Sequence, residues 1–90
     1  MDKVDKEIML IAQEECAEVV QAISKVFRFG MDESYNDRTN KQRLEEETGD
    51  LLCMIQLMMD KGLISESNVR YWSSQKRIKL ETWSEVFSHA

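Results

Sequence analysis

The chain contains no proline and only three glycines, Gly30, Gly49 and Gly62, among its 90 residues. Folds built from many tight turns need both residue types often, so this sequence is confined to long helices with few interruptions. In the first third, Val4, Ile8, Ile11, Val19, Ala22 and Val26 recur at helical spacing. They predict a first helix over about residues 5–29, stopped by Gly30, with Arg28 in the last turn where a cation suits the helix dipole. Residues 31–39 are rich in Asp, Asn, Ser and Arg without apolar periodicity and read as a loop, either a mobile cover over a site or a plain connection.

A second helix is expected from a cap at Thr39 or Asn40 to about residue 61, with Leu44, Leu51, Met54, Ile55 and Met58 on one face and Gly62 as its stop. A third opens at Ser65 and runs to about residue 83, followed by a fraying tail over residues 84–90. The fold class is therefore all-α: an antiparallel helical bundle of three long helices, one domain over residues 1–90. A chain this short buries a small fraction of its surface, which makes completion of the core by oligomerisation the expectation.

The formal charge of −5 argues against a binder of nucleic-acid polymers, which need Lys and Arg to neutralise phosphates. Cys16 and Cys53 stand far apart among apolar helical residues, a pattern of free thiols in a reducing cytoplasm. No segment reaches the roughly 20 apolar residues that span a bilayer, and residues 1–7 lack a secretory pattern. A cytoplasmic protein without membrane partners is expected.

Two acidic groups break the apolar pattern. At 100° per residue Glu15 falls inside the first helix's apolar stripe, Glu18 lies at its edge, and Glu14 sits further round toward solvent. The second helix repeats this, with Glu47 among Leu44, Leu51, Met54 and Met58, and Asp50 at the margin. Burying ionised carboxylates costs several kcal/mol each unless they are paired or bind a metal. Were the two helices to pack side by side, Glu15, Glu18, Glu47 and Asp50 would converge, and protonation or a cation must relieve their repulsion.

All-oxygen ligands suit hard Mg2+ or Mn2+. A di-iron bundle wants Glu-x-x-His pairs, and the only histidine is His89 at the tail; zinc lacks His and Cys at suitable spacing. Mg2+ held by a few carboxylates typically completes its shell with substrate phosphates, so phosphate chemistry follows, with Glu14 or one of the four acids positioning a water.

The order Glu14-Glu15-x-x-Glu18, a gap of 28 residues, then Glu47-x-x-Asp50, together with Phe27-Arg28-Phe29-Gly30 and Leu44-Glu-Glu-Glu-x-Gly-Asp-Leu-Leu, resembles the MazG-like all-α nucleoside triphosphate pyrophosphohydrolases, in the short form of phages and bacteria. The resemblance covers residues 8–62 firmly and the third helix more loosely. It implies cleavage of a nucleoside triphosphate between its α and β phosphates to the monophosphate and pyrophosphate, in nucleotide-pool control or house-cleaning. Glu15, Glu18, Glu47 and Asp50 become the Mg2+ ligands (Mn2+ possible) and Glu14 an accessory catalytic acid. The assembly it implies is a homodimer or homotetramer with sites near helical interfaces.

Substrate phosphates then call for cations. Lys25 and Arg28, two to three turns after the first acidic pair, are candidates, as are Lys76 and Lys79, an i, i+3 pair resembling the family's late basic motif; Arg43 and Asn40 are weaker ones. Trp72 and Trp83 are either base-stacking platforms or core and interface residues. Two alternatives remain open: a catalytically silent helical interaction dimer with Met54, Met58 and Met59 at its contact surface, and a phosphoribosyl-ATP pyrophosphohydrolase with similar acids.

Overall fold

The computed structural model describes residues 1–88, so His89 lies outside the described residues. Three helices, α1 (Lys3–Phe29), α2 (Asn40–Asp60) and α3 (Glu66–Trp83), carry the chain, and a two-stranded antiparallel hairpin, β1 (Ser34–Tyr35) and β2 (Arg38–Thr39), joins the first two. The ends are dictated locally. Asp2 and Asp5 form a capping box, with the Asp5 amide donating to Asp2 Oδ1 at 2.7 Å and the Asp2 amide to Asp5 Oδ2 at 3.3 Å. Thr39 and Gln42 repeat the box at the start of α2, and Ser65 caps α3.

Gly62, at φ +71°, ends α2 in a Schellman motif: its amide donates to the Met59 carbonyl and that of Leu63 to the Met58 carbonyl. The left-handed backbone is what makes glycine suitable there.

Residues 31–39 are more ordered than a plain loop. Asn36 and Asp37 both hold positive φ, 53° and 64°, the pair of left-handed residues a two-residue hairpin turn requires. Three further bonds fasten the segment to the start of α2: Asn40 N–H to the Glu33 carbonyl, Lys41 N–H to the Met31 carbonyl, and the buried Asn40 side chain, whose Nδ2 donates to the Gly30 carbonyl at 2.9 Å. The tail through residue 88 is likewise folded back, with Arg77 stacked over the Phe87 ring at 4.5 Å and Ser84 Oγ bonded to the Leu80 carbonyl.

α1 and α2 pack antiparallel. At one end Asn40 is tied to Gly30, and at the other the Lys61 ammonium lies 3.4 Å from Asp5 and 3.9 Å from Asp2. Ile8, Ala12 and Met54 form the core, flanked by Ile11, Met58 and Leu63, and Ala22 is buried further along α1. The alanines permit close approach of the two backbones, whereas Val4, expected on the inner face, is exposed.

The molecule is flat, 42 × 39 × 14 Å, and no described side chain is fully enclosed. α3 contributes no buried residue; an open groove lined by Leu52, Ile55 and Met59 of α2 and Val69, Arg70 and Ser73 of α3 runs between the two. No helix among the described residues is long and apolar enough to cross a membrane.

Asp5 Oδ1 is shielded from solvent and makes no hydrogen bond, which leaves the Lys61 ammonium as its counter-charge. Replacing Lys61 with Ala therefore strands that oxygen at the far end of the helix pair, at a cost of about 1–3 kcal/mol. Chemical denaturation of the variant should show this loss, and Asp5→Asn in the Lys61→Ala background should recover part of it.

Candidate metal and phosphate site

Antiparallel packing brings the middle of α1 against the first half of α2, and the two acidic segments meet there. Carboxylate oxygens of Glu15, Glu47 and Asp50 all lie within 4.8 Å of one another. Glu15 and Glu47 are half-buried between the helices, while Glu18, Asp50 and Glu14 are exposed, as their helical angles require. Glu18 stands outside the three-residue cluster but lines, with Glu47, Gln21, Ala22, Lys25 and Arg43, a depression of about 100 Å³ beside it.

Glu15 is held above its ordinary value of 4.5, first by burial, then by the charges of Asp50, Glu18 and Glu14. Glu47 is raised as well, by burial and then by Glu18, Asp50, Glu15 and Glu46. Among the described residues no ion pair or side-chain hydrogen bond relieves Glu15, Glu18, Glu47 or Asp50. The nearby arginine Arg38 is spent on Glu46.

The donor set fits a hard divalent cation. Octahedral coordination at about 2.1 Å places ligand oxygens roughly 3–4 Å apart, and three carboxylates already within 4.8 Å reach that spacing by small side-chain rotations. Such a cation would sit between Glu15, Glu47 and Asp50.

The cations chosen from sequence divide into two groups. Lys25 lines the depression beside Glu18 and Glu47, and so does Arg43, the weaker candidate at the start of α2. Both also line a second, adjoining cavity of about 300 Å³, whose other walls are Phe29, Glu33, Ser34, Tyr35 and Asn40. Arg28 instead stacks over the Phe29 ring at 5.0 Å. Lys76 and Lys79 are exposed on α3 and line neither cavity within one chain.

Trp72 and Trp83 are also exposed on α3; Trp72 packs edge-on against Tyr71 with centroids 5.0 Å apart. Phe29 and Tyr35 line the cavity that adjoins the depression beside the acids. Tyr35 has no signal of its own in a segment whose composition reads as a loop; the Asn36-Asp37 pair is the turn signal that folds it back. Of the methionines, Met54 is core, Met58 packs against it and Met59 lines the α2–α3 groove.

Because the folded state retains protons on Glu15 and Glu47 to higher pH than the unfolded chain does, metal-free protein loses stability as pH rises from about 4.5 through the raised values. Glu47→Gln removes part of that loss. In chelator, the variant should melt above the wild type near neutral pH, and the gap should close as pH falls to the ordinary glutamate range. Melting curves across pH check this, and a variant that melts lower throughout would contradict it.

The family model of the MazG nucleotide pyrophosphohydrolase domain matches residues 4–80. No curated protein and no solved structure matches the chain significantly. The matched stretch takes in α2, most of α1 and α3, both acidic segments and the hairpin between the first two helices, and with that coverage the chain belongs to the MazG nucleotide pyrophosphohydrolase family.

Proposed function

We propose that the protein is a Mg2+-dependent nucleoside triphosphate pyrophosphohydrolase that acts on dNTPs or NTPs in nucleotide-pool control or house-cleaning. The observation that carries this reading is the unrelieved convergence of Glu15, Glu47 and Asp50, with Lys25 and Arg43 beside it, in a chain of this family. Glu15, Glu18, Glu47 and Asp50 hold the cation, Mg2+ or Mn2+, through carboxylate oxygens. A cation held by these residues would supply charge neutralisation for phosphate oxygens and would acidify water at the site.

The chain's own groups position the rest. Lys25 binds phosphate oxygens, with Arg28, Lys76 and Lys79 as further cationic contacts; the last two would reach a site from α3 of a neighbouring copy. Glu14 or one of the four acids positions the attacking water and takes up its proton. The water oxygen bonds to phosphorus, the α–β phosphoanhydride bond breaks, and the monophosphate and pyrophosphate leave. A homodimer or homotetramer is supported by the flat shape, by α3 without buried residues, and by exposed Phe27, Leu52, Trp72 and Ile78. Cys16 and Cys53 are free thiols, in keeping with action in the cytoplasm.

Incubation with each nucleoside triphosphate and Mg2+ should release pyrophosphate and monophosphate. Orthophosphate as product, or no cleavage of any triphosphate, would refute the assignment, and preferential cleavage of phosphoribosyl-ATP would move it to that substrate. Glu47→Gln and Glu15→Gln should each lower kcat by about 100-fold or more. Saturating Mg2+ should raise the melting temperature of the wild type and leave that of Glu47→Gln nearly unchanged; an unresponsive wild type would favour a catalytically silent interaction protein.

A further inference from the structure

Two cavities share a wall. The depression beside the acids and the larger cavity under the hairpin are both lined by Lys25 and Arg43, so these cations stand between the carboxylates and an aromatic compartment. Along this groove the chemistry changes in a fixed order. Carboxylates come first, then a lysine and an arginine, then the rings of Phe29 and Tyr35 with Ser34, Glu33 and Asn40 around them. A nucleoside triphosphate has matching parts in the same order: metal-binding phosphates, then sugar, then a planar aromatic base.

From this we infer that the hairpin cavity is the nucleoside subsite, with the base lying against Tyr35 and Phe29 and with Arg43 joining that subsite to the phosphates. The inference rests on the proposed pyrophosphohydrolase reading. A volume of about 300 Å³ is at the lower end of small-ligand pockets and suits one nucleoside. Arg28 lies over the Phe29 ring and Arg43 over the Tyr35 ring, and both residues still keep free surface, Phe29 at 55 % exposure and Tyr35 at 71 %.

The backbone that carries Tyr35 is held in place before any ligand arrives. The Asn36-Asp37 turn and the bonds from Asn40 and Lys41 fix the hairpin against the end of α1. Arg43 adds the link to the acidic side: its Nη2 donates to the Tyr35 carbonyl at 2.6 Å and its guanidinium lies 5.7 Å from the Tyr35 ring centroid. A guanidinium has five N–H donors; one is engaged with Tyr35, and the others remain for phosphate oxygens. Preorganisation of this kind reduces the ordering cost of binding.

Calorimetric titration in Mg2+ tests the inference without depending on turnover, using non-hydrolysable α,β-methylene nucleoside triphosphates and inorganic tripolyphosphate, which lacks a nucleoside. The wild type should bind at least one nucleotide analogue more tightly than tripolyphosphate. Tyr35→Ala and Phe29→Ala should each weaken analogue binding about 5- to 100-fold and leave tripolyphosphate binding within about twofold. Tyr35→Phe, which keeps the ring, should bind like the wild type, and Arg43→Ala should weaken both ligands.

Equal wild-type affinity for analogue and tripolyphosphate would overturn the subsite. So would nucleotide preference that persists in both alanine variants, or a loss in Tyr35→Ala that falls equally on tripolyphosphate. Wild type that binds the analogue through Tyr35 but cleaves no triphosphate would instead retain the subsite and overturn the hydrolase reading.

Discussion

Carboxylate repulsion where α1 meets α2 is the constraint around which this small structure is arranged. Apolar contact among Ile8, Ala12 and Met54 draws the helices together, and the same contact forces Glu15 and Glu47 into partial burial within reach of Asp50. Among the described residues none forms an ion pair with them: Arg38 is committed to Glu46, and Lys61 to Asp2 and Asp5 at the opposite end of the pair. The folded chain thus carries an unfavourable charge cluster that protonation or a bound cation relieves. Stability given up at one locus for binding capacity is the usual mark of a functional site.

That cluster can be precise because the helices bearing it are fixed at both ends. The Asn40–Gly30 bond and the hairpin close one end of the pair, and the Lys61–Asp5 contact closes the other. The acids project from the middle of helices rather than from loops, where backbone position is set by continuous hydrogen bonding. The hairpin has a second consequence, since folding back over Asn36 and Asp37 sets Tyr35 beside Arg43 and makes an aromatic compartment next to a charged one.

Packing within a single chain is sparse. Helix α3 is capped but holds no buried residue, and large apolar side chains remain exposed on all three helices. A flat molecule of this size lacks the second layer that ordinarily covers a hydrophobic face.

Much was legible without coordinates, because helices obey local rules. Caps, glycine stops and a 3.6-residue period located α1, α2 and α3 to within a few residues, and the same period separated Glu15 and Glu47 from the exposed acids Glu14, Glu18 and Asp50. Spacing also marked the two acidic segments as a pair. Sequence could not say which cations would join them, since Lys25, Arg28, Lys76 and Lys79 are equally plausible along a helical surface. Only the crossing of α1 over α2 selected Lys25 and Arg43 and left the α3 lysines apart within one chain. Tyr35 and Phe29 became neighbours across a turn whose direction depends on two residues at positive φ and on the Asn40 anchor. Local periodicity determines which face of a helix a residue occupies; what that face meets is decided by contacts between residues distant in the chain.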